Sequence, residues 1–314
     1  MGFIRGKIGL DVLTLIITYA ALISIPIFND RFMLYLASLF MIYTLFSMAY
    51  NIMFGYAGLL SFGHSLFFAT GAYGTAIFIL RVFDDSIVGL LVGASLATGL
   101  ALAVGLLTLR HGKIYFAMLT LAFTMLFYAL LFKWRSFTGG SDGLAGISRR
   151  CFIGSMLQLE VFYYFIFIIF LVLMWTLYVL DRSNLGLIIK ALGSNEERVE
   201  FSGHSIVRYR MISFLISGSI SGVAGSLYAL LIRVVTPDLA YWTTAAEPLI
   251  MTLLGGSGYF LGPLVGSLIF VAITTAVARI AEMWQLILGM VLISILLGFR
   301  GGIMGVISKV WGRL

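Results

Sequence analysis

With one cysteine, Cys151, the chain can form no internal disulfide and no cysteine metal cluster. Charge is scarce as well. Only 11% of residues are Asp, Glu, Lys or Arg, against about 25% in soluble domains. There is no G-x-x-x-x-G-K-[ST] run, so the chain has no P-loop for ATP. Gly255, Gly256 and Gly258 do not complete a dinucleotide fingerprint. His64, His111 and His204 lie far apart and form no H-E-x-x-H zinc motif. No metal site and no catalytic cluster is expected. Carboxylates are also missing from the middle of the apolar runs, because Asp11, Glu160, Glu247 and Glu282 all sit at run edges. Ion-coupled carriers usually need intramembrane carboxylates. That leaves an uncoupled pore or a permease driven from outside the chain.

What the chain has is oil: 61% of its residues are hydrophobic. A helix needs about 20 apolar residues to cross a bilayer. Apolar runs near 10–28, 32–54, 62–80, 86–108, 114–133, 160–180, 211–232, 246–262, 264–280 and 284–299 predict about ten transmembrane helices. The fold expected is an all-α polytopic membrane protein forming a single transmembrane domain over 1–314. Arg5 and Lys7 precede the first run as in a signal peptide, but no small-x-small cleavage site follows, so an uncleaved first span is expected. With both termini inside, 12 Lys and Arg fall on cytoplasmic segments and 8 on outer ones. This bias orients the chain with both termini and the 181–210 loop in the cytoplasm.

That loop holds nine of the 33 charged side chains. Leu185, Leu187, Ile188, Ile189 and Leu192 predict a short helix closed by Gly193. Ser194 with Glu197 reads as a capping box opening a second helix, which Gly203 ends. Such a helical hairpin either joins two spans in water or docks a soluble partner. Glycine also interrupts the oil at 55–74 and 254–263. Broken backbone at membrane depth is tolerated where protein or a water-filled cavity covers it. Close packing of glycine-faced helices is the competing account. It is the better one for Gly89/Gly93, Ala97/Ala101/Gly105 and Ser213/Ser217/Ser221/Gly225.

Four stretches in order carry a family resemblance. The first runs from Ala49-Tyr50-Asn51 through Gly55-Tyr56-Ala57-Gly58 and Ser61-Phe62-Gly63-His64 to Gly71-Ala72-Tyr73. The second is Ile114-Tyr115-Phe116-Ala117 with Thr120-Leu121-Ala122-Phe123, followed by Thr138-Gly139-Gly140-Ser141-Asp142-Gly143-Leu144. The third is Asn195-Glu196 with Gly203. The fourth is Ser221 to Gly225, Pro237, and Leu254-Gly255-Gly256-Ser257-Gly258 to Gly262-Pro263. Over about 50–300 the chain resembles the M-type permease subunit of branched-chain amino acid ABC importers. It departs from that pattern at Val199, where alanine is usual, and at Gly193-Ser194, where Ile-Arg is common. At Glu247-Pro248 the family usually has a serine-led apolar start.

The resemblance implies a permease subunit of a bacterial inner membrane importer, without an ATPase site of its own. Its partners would be a second, H-type permease, two ATPase subunits that hold ATP and Mg, and an extracytoplasmic solute-binding protein. No nucleic-acid partner is implied. The solute would be a branched-chain amino acid, or urea, a short amide or an aromatic acid, as among relatives. The 181–210 loop would be the coupling helix, with Asn195, Glu196, Glu197, Glu200 and Gly203 facing the ATPase. Asn51, Ser61, His64 and Thr120 are expected near the solute path, since polar side chains at lipid depth must face protein or water. For Asn51 and Ser61 an interhelical hydrogen bond is an equally good account, and His64 could be a packing residue. Thr138, Gly139, Gly140, Ser141 and Asp142 are turn formers and would face the binding protein from outside.

Overall fold

A computed structural model describes residues 14–28, 30–151, 154–278, 286, 289–290, 293–294 and 301–311. It is helical almost throughout. An apolar helix α1 (Thr14–Ile27) leads to α2 (Arg31–Asn51), which continues as a π-helical segment (Ile52–Tyr56). After a break come α3 (His64–Arg81), α4 (Ser86–Thr108) and α5 (Lys113–Lys133). A one-turn helix α6 (Arg135–Thr138) opens an irregular loop, and α7 (Leu159–Arg182) returns from it. Then follow the short helices α8 (Asn184–Ser194) and α9 (Glu196–Phe201) and the long α10 (Ile206–Ile232). The last described helices are α11 (Trp242–Gly255), α12 (Gly262–Ala278) and α13 (Gly302–Trp311).

Five helices among the described residues, α2 with its π segment, α4, α5, α7 and α10, are long and apolar enough to span a membrane. The expected spans near 62–80 and 264–280 correspond to the shorter α3 and α12. The span expected at 246–262 is corrected: its helix starts at Trp242 and stops at Gly255, because Gly256 (φ +113) leaves the helical region. Most of the run at 284–299 lies outside the described residues.

The small-residue series set the packing. α3, α4 and α10 form a tight sheaf. A Cβ at Gly225 would overlap the Phe68 carbonyl, and one at Gly71 would overlap that of Gly222. Backbones this close exclude side chains between them, which is how helices associate where oil surrounds them. α2 runs beside the sheaf and is buried from Met41 to Asn51 at every position but Tyr43. α5 and α7 bury one stripe and turn Met118, Leu126, Ile168, Val172 and Trp175 outward. An apolar surface of this kind fits lipid.

The loop between α6 and α7 is welded to the far end of α10. Leu144 pairs with Val235 in a two-residue antiparallel ladder. The Arg149 guanidinium donates to the last carbonyls of α10, Leu230 and Leu231, both at 2.7 Å, and lies 4.4 Å from the Phe162 ring centroid. Burial, with Arg233 nearby, pushes this guanidinium down to about 10, so it stays charged at neutral pH.

Candidate functional site

The charged hairpin forms as two helices, but its cap differs from the expected one. α8 runs through Gly193 to Ser194, and Ser194 Oγ donates back to the Lys190 carbonyl at 3.1 Å. Asn195 is therefore the N-cap of α9, accepting from the Arg198 N–H at 3.0 Å. Ser194 and Asn195 both suit a cap, and the serine is occupied. Gly193 is a contact residue rather than a helix stop: its missing Cβ makes room for the Tyr56 carbonyl, and its backbone touches Gly58. Gly203 does end α9 (φ +80). Its N–H donates to the Glu200 carbonyl at 2.9 Å and the His204 N–H to that of Val199 at 3.2 Å, which together make a Schellman motif.

Ion pairs anchor this hairpin. Glu196 binds Arg210 at 2.7 Å and Lys113 at 3.1 Å, joining α9 to the starts of α10 and α5. Lys190 binds Asp181 at 2.6 Å and sits 4.6 Å from the Tyr56 ring centroid. Glu197 and Glu200 stay exposed. The five residues expected to face a partner thus divide: Asn195, Glu196 and Gly203 shape and hold the hairpin, while Glu197 and Glu200 are free on its surface.

The polar residues at membrane depth meet the two backbone breaks. Thr120 Oγ1 accepts from the Phe62 N–H at 3.1 Å, and Thr124 Oγ1 donates to the Phe62 carbonyl at 2.8 Å. Ser61 Oγ accepts from the Gly63 N–H at 3.2 Å. Backbone groups freed by the first break are thereby satisfied without water. Asn51 serves the second break: its Nδ2 donates to the Tyr259 carbonyl at 3.2 Å and its Oδ1 accepts from the Gly258 N–H at 3.1 Å. His64 is fully buried at the start of α3, with Nε2 2.5 Å from Ser217 Oγ, which donates to the Ala49 carbonyl. All four are buried; Asn51, His64 and Thr120 knit the breaks to neighbouring helices, while Ser61 bonds within the first break.

The outer turn is built as its residues suggest. Gly139 (φ +80) and Gly140 (φ +64) need the left-handed region. Thr138 is buried, donating to the carbonyls of Leu131 and Trp134, whereas Ser141 and Asp142 are exposed. The turn lies at the opposite end of α5 from the Lys113–Glu196 pair.

A model of the family described as "Branched-chain amino acid transport system / permease component" matches residues 32–296. The chain belongs to this permease family. It is 26% identical to the high-affinity branched-chain amino acid transport system permease protein LivM of Escherichia coli, over 84% of this chain and 68% of that one. It is 25% identical to the probable branched-chain amino acid transport permease protein LivM of Methanocaldococcus jannaschii, over 74% of this chain and 78% of that one. A ribose import permease protein, RbsC of Haemophilus influenzae, is 30% identical over 42% of this chain and 41% of its own. No solved structure matches. In this permease the family match takes in both glycine breaks, the hairpin and the outer turn.

Sequence reasoning missed the partners of these residues: Ser217 for His64, Arg210 and Lys113 for Glu196, Thr124 beside Thr120. It also misplaced Glu247. α2 and α11 run parallel, since Thr252 Oγ1 donates to the Ser47 carbonyl and Asn51 bonds the Gly258–Tyr259 turn. At a rise of about 1.5 Å per residue, Glu247 lies level with Tyr43. That is about 18 Å into a helix starting at Arg31. The acid is therefore deep in the membrane-spanning region of this permease, and its departure from the family pattern was the available signal.

Proposed function

We propose that this chain is one of two membrane subunits of an ATP-driven importer for branched-chain amino acids. It sits in the bacterial cytoplasmic membrane with both termini and the α8–α9 hairpin inside. A second permease subunit, two ATPase subunits carrying ATP and Mg, and an extracytoplasmic solute-binding protein complete the machine. The observation that carries this reading is the backbone contact of Gly193 on Tyr56 and Gly58. Through it the hairpin bears directly on the first membrane break, and Asn51 ties the end of α2 to the second break. A push on the hairpin from a closing ATPase pair reaches both breaks with no flexible link between. The exposed Glu197 and Glu200 offer a charged surface to the ATPase. The turn at Ser141 and Asp142 is offered to the binding protein.

Co-expression of the subunits and reconstitution in liposomes test this. Tagged chain should retain ATPase subunits, and ATP should drive uptake of leucine, isoleucine or valine. Conduction of solute by the chain alone, with no ATPase retained, would overturn it in favour of an uncoupled channel. ATP-driven uptake of urea, short amides or aromatic acids instead would keep the machine and change the solute.

A further inference from the structure

Glu247 has no hydrogen-bond or ion-pair partner among the described residues, although it lies at mid-membrane depth. A carboxylate there is costly and is retained where it faces protein or water and has something to bind. Its neighbours define the space it faces. Tyr43 of α2 and Tyr228 of α10 have ring centroids 6.5 Å apart, and the parallel register of α2 and α11 puts Glu247 level with Tyr43. Tyr35 lies about two helical turns from Tyr43 along α2. The three tyrosine side chains, like Glu247, are half-buried, and no hydrogen bond forms at any of their hydroxyls among the described residues. Polar groups sealed in a core take partners, and four without one among the described residues can take one from a ligand. Phe68 and Phe270 pack behind, at 5.4 Å from Tyr228 and 5.9 Å from Tyr43, so the wall is apolar and aromatic.

One unpaired carboxylate among aromatic faces and hydroxyls suits a cation that carries N–H donors and an apolar tail. The ring faces add cation–π attraction and the hydroxyls accept hydrogen bonds. The geometry points to Glu247, Tyr43 and Tyr228 as a recognition site for the ammonium group of the transported solute. The site deepens the importer reading and rests on it for the identity of the solute.

Two measurements separate the site from that reading. The first needs no transport. In Cys151→Ser, Tyr228→Cys protein, the rates of modification by a trimethylammonium-ethyl and a sulfonato-ethyl methanethiosulfonate are compared. The cationic reagent should be favoured by about tenfold or more, as an approaching cation favours the ionised form of a lone carboxyl group and is attracted to it in turn. Glu247→Gln added to this protein should abolish the preference. Equal rates, or a preference that survives Glu247→Gln, overturn the site. The second is ATP-driven uptake of L-leucine by the whole importer. Glu247→Gln should cut it about tenfold or more with abundance unchanged, since the substitution removes a charge from the membrane and keeps the shape. Glu247→Asp should recover part of it. Wild-type uptake by Glu247→Gln would show that the solute does not use the site, and would overturn the inference. Failure of the wild-type importer to move leucine sinks the solute reading alone, and the labelling then decides for or against the site.

Discussion

Gly193 and Gly203 are both glycines of the hairpin, yet different physics requires each. At Gly203 the space for a Cβ is open and only the positive φ resists, so Gly203→Ala should cost about 1–2 kcal/mol. At Gly193 the backbone is helical and the obstacle is the carbonyl of Tyr56, which cannot rotate away as a side chain could. Gly193→Ala should lower thermal stability in detergent more than Gly203→Ala and separate the hairpin from the break. Equal melting shifts would refute the contact. The three glutamates separate in the same way. Arg210 is nearly buried against Glu196, so Glu196→Gln should weaken the fold itself, by about 1.5–3 kcal/mol for a charged hydrogen bond lost. Glu200→Gln should leave the melting temperature alone and reduce only ATPase retention. If both variants melt like wild type, the ion pair contributes nothing. The lesson for reading such loops is that an acid at a helix start can serve the dipole, a neighbour or a partner, and spacing does not say which.

At the scale of elements, the broken helices were legible because glycine is conspicuous in oil. The residues that make the breaks affordable were not. Thr120 meets Phe62 across 58 positions and Asn51 meets Tyr259 across 208, and no local period encodes such pairings. The cap at Asn195 was missed by one residue because Ser194, an equally good capper, was already bonded to Lys190. Glu247 was misplaced for a related reason: hydropathy finds a run of oil but cannot see that the helix already begins at Trp242, before the acid. The Asn51 bridge yields a test. Asn51→Leu keeps the bulk and strips both bonds, leaving the Gly258 N–H and Tyr259 carbonyl unpaired at about 1–3 kcal/mol each. We expect marked thermal destabilisation and loss of uptake. A stable, active Asn51→Leu protein would mean that water serves the second break.

For the whole molecule, sidedness is the property to measure first. The Ser141 turn and the Glu200 helix lie at opposite ends of the bundle, so single cysteines there, in a Cys151→Ser background, should react from opposite faces of sealed vesicles. Ser141→Cys should label from the extracytoplasmic side and Glu200→Cys only from the cytoplasmic side. The reverse pattern would invert the orientation.

The glycine sheaf of α3, α4 and α10 limits how such a molecule can change shape. Two cogwheels with meshed teeth turn together or not at all, and here the teeth are backbone carbonyls seated where side chains would be. Sliding one of these helices by a single turn would drive a Cβ-bearing residue into a carbonyl. The sheaf therefore travels as one piece, and relative movement has to occur along its border with α2, which meets α10 and α12 through aromatic rings and hydroxyls that can roll. Glu247 lies level with Tyr43 on that border, so any rocking of the two bodies would change what this acid faces.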